Sequence, residues 1–89
     1  MVKQISIIIV TWNVRPLLEA NLRKIFDLKT PLLFEVIVID NGSNDGSAAM
    51  VRDQFPQVKL IQNDWDAGFA HSCNQGLRIA HSDVCLLLN

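Results

Sequence analysis

Phe34-Glu35-Val36-Ile37-Val38-Ile39-Asp40-Asn41-Gly42-Ser43-Asn44-Asp45-Gly46-Ser47 decides the fold. Its opening is an almost unbroken apolar, β-branched run, the pattern of a strand buried on both faces of a parallel sheet. Polar residues and two glycines follow at once, which ends the strand in a turn, and Ser47 stands where a helix can begin. Three more runs of strand length share this character: Ile5 to Thr11, Val58 to Gln62 and Val84 to Leu88. The intervals between them are long enough for crossover helices, which parallel neighbours require. The first helix is expected after Asn13 as N-cap, with Pro16 in its first turn and Leu17, Leu18, Leu22, Ile25 and Phe26 at helical spacing. A second is expected from Ser47 to about Phe55, where Pro56 stops it, with Ala48, Val51 and Phe55 facing the sheet. A third is expected from Phe69 to Ala80, burying Phe69, Cys73, Leu77 and Ala80. The fold class that results is α/β, a Rossmann-like parallel sheet of about four strands with three crossover helices. The expected strand order, numbered along the chain, is 3-2-1-4.

Composition narrows the function classes. The chain has 89 residues, 49% hydrophobic and 19% charged, with a formal net charge of −1. That describes one folded domain. Without a basic excess or a block of like charge, nothing draws it to nucleic acid or to an anionic membrane. Its apolar runs fall far short of the roughly 20 residues of a transmembrane helix. The N-terminus leads straight into a strand without a signal-peptide cleavage site, so a cytoplasmic location is expected. Cys73 and Cys85 lack metal or redox spacing and are expected to be reduced.

Polar residues gather at the ends of the strands: Thr11 and Asn13, Asp40 and Asn41, Asn63 and Asp64, and Asn89. Open α/β sheets bind ligands at this carboxyl edge. The turn Thr11 to Pro16 has neither the glycines of a dinucleotide-binding turn nor the Gly-Lys-Ser/Thr of a P-loop, so it does not cradle a pyrophosphate. Asp40 has two readings here, a carboxylate that accepts hydrogen bonds from a ribose or base, and a cap on the following turn. The Asn41–Ser47 loop reads as a tight lead into a helix, with Asp45 or Ser47 capping, and its glycines also permit close approach by a ligand. Gly68 at the mouth of the third helix leaves room for a nucleotide, and Asn74 has an amide to extend toward one. Asp64 and Asp66 read as capping or solvated acids and not as a metal site, and His71 and His81 as surface or packing residues.

Three motifs in order, Ser6 to Asn13, Val36 to Ser47, and Asn63 with Gly68-Phe69-Ala70 and Asn74-Gln75-Gly76, resemble the N-terminal half of family 2 glycosyltransferases of the GT-A fold. The resemblance covers the whole chain and implies a nucleotide-binding set of Thr11, Asn13, Asp40, Asn41, Gly68 and Asn74. Asp40 would contact the base of a UDP- or dTDP-sugar, and the motif style is nearest to members that transfer rhamnose. The resemblance further implies a divalent metal, Mg or Mn, in the full-length enzyme. Asn89 stands where the first residue of the D-x-D-like motif would be. No catalytic base is identified, and a glycan or lipid-linked acceptor would be served by a second half. Residues 1–89 therefore read as a truncated nucleotide-sugar-binding half. Two alternatives stand beside this one: a sugar nucleotidyltransferase, whose basic glycine-rich first turn is missing, and a folded fragment that only self-associates. The apolar strand Val84 to Leu88 has no following helix, so a homodimer through it is expected.

Overall fold

A computed structural model describes residues 3–88. It contains β1 (Ile5–Thr11), α1 (Arg15–Phe26), β2 (Phe34–Asn41), α2 (Ser47–Gln54), β3 (Lys59–Asn63), α3 (Phe69–Ile79) and β4 (Val84–Leu88). All pairings are parallel and the order is β3-β2-β1-β4, as expected. β1 and β4 keep their expected limits, while β2 extends one residue further, to Asn41, and β3 is shifted one residue along.

The two central strands are buried on both faces, and the side-chain alternation of a strand divides the core in two. Ile7, Ile9, Val36 and Val38 point to the face covered by α1 and α2, where Leu18, Leu22, Met50, Val51 and Phe55 pack on them. Ile8, Ile37 and Ile39 point to the other face, beneath α3.

Two expected helix details are corrected. Leu17 is exposed, and the buried residues of α1 are Leu18 and Leu22. α3 buries Ser72, Cys73 and Gly76, whereas Phe69 and Leu77 face outward. The cause lies at Gly76, where a Cβ would stand 2.7 Å from Ile8 Cγ2 and 3.0 Å from Ile39 Cδ1. The helix axis sits so close to the sheet that only small side chains fit beneath it.

Burial pushes the Cys73 thiol up, and both cysteines are free. No helix among the described residues is long and apolar enough to cross a membrane.

Among the described residues β4 lies at the sheet edge, paired with β1 on its inner side. Val84, Leu86 and Leu88 share one face and are 54%, 48% and 41% exposed. Leu87 on the other face is exposed too.

The amino-terminal edge of the sheet is closed by a cluster around Glu35. Its carboxylate accepts from Ser6 Oγ at 2.6 Å, the His81 backbone N–H at 2.6 Å and Lys59 Nζ at 2.8 Å. Burial pushes this carboxyl up, but those three donors and the Lys59 charge outweigh it and bring it down to about 2. The cluster joins β1, β2, β3 and the lead into β4.

Candidate functional site at the carboxyl edge

Thr11 and Asp40 are register partners on β1 and β2, so their side chains share one face at the top of the sheet. Both are buried, Asp40 at 1% exposure. Ser43 Oγ donates to Asp40 Oδ1, the turn contact foreseen for a strand-end aspartate. Asp40 Oδ2 has no hydrogen-bond partner, and neither has Thr11 Oγ1. An unpartnered buried carboxylate oxygen is uncommon, because it forfeits hydration without replacement. Two such atoms on adjacent strands mark a place completed by something else.

Asn41 follows Asp40 and turns to the opposite face, under α3. Its Oδ1 accepts from Asn63 Nδ2 at 2.9 Å and Ser72 Oγ at 2.8 Å. Asn63 and Gln75 exchange two amide hydrogen bonds at 2.8 and 3.0 Å. This bracket ties β2, β3 and α3 together just behind Asp40. Ser72 and Gln75 were not singled out from sequence as site residues. The spacing of small residues at Ser72 and Gly76, one helical turn apart, was the available signal for the inward face. Asn74 is exposed on α3, next to Gln75 in sequence but outside the bracket.

A second set of bonds clasps the loops after β1 and β2. Asn13, at φ 51°, donates its N–H to Ser43 Oγ at 2.8 Å and accepts the Asn44 N–H on Oδ1 at 2.8 Å. Asn13 is therefore not the cap of α1; that position is Val14, which has no capping side chain. Asp45 does the work for both helices. Its Oδ2 accepts the Arg15 N–H at 2.9 Å, and its Oδ1 accepts the Ser47 N–H at 3.1 Å and the Ser47 hydroxyl at 2.6 Å. The Ser47 hydroxyl holds the Asp45 carboxyl below its usual range, aided by these backbone N–H groups and opposed by burial. Two helix N-termini also favour an anion at that point.

The loop after β3 closes over Gly42, where a Cβ would meet Asp64 O and the Trp65 backbone at 3.2 Å. With φ at +78° as well, only glycine suits this position. Asp66 Oδ1 accepts the Gly68 N–H at 2.9 Å, the capping role expected of it. Nothing lies within 4 Å of a Cβ built on Gly68, so the mouth of α3 is open. The Trp12 and Trp65 side chains, on the loops after β1 and β3, are exposed. Thr11, Asn13 and Asp40 are thus drawn to the same corner, Asn41 lies on the opposite face, and Gly68 and Asn74 stand on the α3 side.

Among the described residues, no group of three or more His, Cys, Asp or Glu comes together as a metal site. Asn89 lies outside the described residues. A cavity of about 610 Å³ lies at the far edge of the sheet and includes Lys3, Glu35, Lys59 and His81 in its wall. Glu35 is already fully occupied by its neighbours there, so the unpartnered atoms at the carboxyl edge are the better guide to a ligand.

The profile of Glycosyl transferase family 2 matches residues 6–89. The chain belongs to that family. This family 2 chain is 34% identical over 86 residues to an uncharacterized glycosyltransferase, YfnE, of Bacillus subtilis, covering 91% of the chain and 21% of the relative. It is also 34% identical over 88 residues to a hyaluronan synthase of Pasteurella multocida, covering 96% of the chain and 9% of that protein. Among solved structures it resembles the mannosyltransferase PcManGT from Pyrobaculum calidifontis, solved in complex with GDP-Man and Mn2+. The TM-score is 0.78 at 31% identity, over 90% of the chain and 25% of the mannosyltransferase. The fold of S. aureus TarS is likewise similar, with a TM-score of 0.83 at 24% identity, over 96% of the chain and 16% of TarS. The family 2 chain thus spans a quarter or less of the length of each of these proteins.

Proposed function

We propose that this chain is the donor-binding portion of a glycosyltransferase and holds the base of a nucleotide-diphosphate sugar against Asp40 and Thr11. The observation that carries the proposal is the buried, unpartnered Asp40 Oδ2 beside the unpartnered Thr11 Oγ1. An ionised carboxylate oxygen only accepts, so its missing partner is a donor, and the Thr11 hydroxyl can donate to an acceptor next to it. Uracil, thymine and guanine present a ring N–H flanked by a carbonyl, which matches that pair. Adenine carries its donor outside the ring, displaced from this position. UDP- and dTDP-sugars remain the proposed donors, and a GDP-sugar belongs beside them because the mannosyltransferase relative was solved with GDP-Man. Asn13 shapes the same corner, Asn41 secures the strand behind it, and Gly68 and Asn74 border the open side toward which the diphosphate and sugar extend. The rhamnose expectation has no residue here to carry it, and the relatives include a mannosyltransferase and a hyaluronan synthase. Transfer to a glycan or lipid-linked acceptor in the cytoplasm, with a divalent metal at the diphosphate, completes the proposal for the whole protein. The metal would assist departure of the diphosphate. Among the described residues, no group of three or more His, Cys, Asp or Glu gathers to hold that metal.

Calorimetry with UDP, dTDP, GDP and ADP on the wild type and Asp40→Asn is the test. The amide keeps the size, removes the charge and replaces an acceptor oxygen with a donor in one orientation. Binding of the preferred nucleotide is expected to weaken about tenfold or more, since hydrogen bonds to charged groups contribute roughly 1.5–3 kcal/mol. Equal affinity in the two proteins, or ADP as the tightest ligand, would remove Asp40 from the pocket.

The exposed edge of β4 supports a second proposal, that the 89-residue chain pairs with a second copy of itself there. Among the described residues no strand pairs with its outer backbone groups, and its side chains are apolar on both faces, a combination that invites edge-to-edge pairing. Sedimentation equilibrium is expected to show a dimer at micromolar concentration, and Leu87→Lys to shift it toward monomer. A wild-type monomer throughout that range refutes the pairing.

A further inference from the structure

We infer that Ser43 is a positioning residue that sets which nucleotides the site accepts, by holding Asp40 so that a single carboxylate oxygen is left for the ligand. The inference rests on the donor-site reading above and adds a residue to it. A serine hydroxyl has one proton and two lone pairs. Ser43 Oγ receives the Asn13 backbone N–H at 2.8 Å, and its own proton goes to Asp40 Oδ1. The chain of donation is therefore directional, from Asn13 N–H to Ser43 O–H to Asp40.

The far end of that chain is anchored on both sides. Asn13 is held in a left-handed conformation, φ 51°, and its Oδ1 takes the N–H of Asn44, the residue next to Ser43. The two loops thus exchange a reciprocal pair of bonds, Asn13 N–H to Ser43 and Asn44 N–H to Asn13. The terminal torsion of an aspartate is otherwise broad, and either oxygen of its carboxylate can turn to a ligand. With Oδ1 occupied by the serine, the carboxylate plane is pinned and Oδ2 alone remains without a partner. One fixed acceptor suits one in-plane donor. A rotating carboxylate would serve a ring N–H and an exocyclic amine with little distinction.

Ser43→Ala removes the pin while leaving Asp40 and Thr11 in place. Calorimetry with UDP, GDP and ADP should show binding of the preferred nucleotide weakened about tenfold, the size expected for one hydrogen bond at a charged group. Its advantage over ADP should shrink with it, a change that a merely structural role for Ser43 would not produce. Ser43→Thr, which keeps the hydroxyl, should restore both affinity and preference. Ser43→Cys, nearly the same shape with a weak donor, should behave like alanine and stands in for it if the alanine variant melts. If the wild type prefers one nucleotide through Asp40, but the alanine and cysteine variants keep that affinity and preference, Ser43 does not position the carboxylate. If Asp40→Asn leaves wild-type binding unchanged, or no nucleotide binds, the donor-site reading itself fails and the role of Ser43 falls with it.

Discussion

Gly76→Leu is expected to lower stability by about 3 kcal/mol, the upper end of the usual cost of overpacking a core and a large part of the roughly 5–15 kcal/mol that holds a domain together. A single Cβ at this position already stands 2.7 Å from Ile8 Cγ2 and 3.0 Å from Ile39 Cδ1. Ile8 and Ile39 are fully buried in the centre of the sheet and have little room to turn. Four added carbons would push α3 away from β1 and β2. The same movement draws Ser72 and Gln75 out of the bracket with Asn41 and Asn63, so the strand end behind Asp40 loses its support. Urea denaturation followed by circular dichroism checks this. Ala70→Leu, on the exposed part of the same helix, should change stability by less than about 0.5 kcal/mol. Equal midpoints for Gly76→Leu and the wild type would show that α3 is not seated by its glycine.

Glu35→Gln should cost up to about 3 kcal/mol at neutral pH, the free energy linked to a carboxyl lowered from 4.5 to about 2. Lys59 is 40% exposed, so solvent screens part of the ion pair and this figure is an upper limit. Because the folded-state value lies below the unfolded one, the contribution is complete above about 4.5 and is lost as the pH falls toward about 2. The glutamine variant has no such titration. Its denaturation midpoint should lie well below that of the wild type at pH 7, and the two should converge as the solution is acidified through this window. A constant gap between them from pH 7 to pH 2 would assign the loss to packing and not to the charge. The cluster also joins the lead into β4 to the middle of the sheet through the His81 N–H, so weakening it should loosen the edge strand first.

Much of the site could be read from the sequence because strand ends are local features. Asp40 is visible as the first carboxylate after an apolar run, and Thr11 as the polar residue that ends β1. Their pairing as register partners follows once the strand order is known. Asn74 and Gln75 are a different case. Helical spacing indicates that adjacent residues point in different directions, but the sequence does not indicate which one turns toward the sheet. Hydrophobicity favoured Phe69 and Leu77 as the inner face of α3, whereas the space available favoured Ser72 and Gly76.

By itself the sequence determined the order of elements, the limits of β1 and β4, the parallel sheet and the edge that carries polar residues. Those follow from apolar runs and helix breakers, which act over a few neighbours. Tertiary structure alone decided which small residues lie under α3 and that Asp45 caps a helix beginning 30 residues earlier. It also decided that Glu35 binds a backbone N–H 46 residues away. Each of these depends on how closely two elements approach, and that distance is set by the packing of the whole core.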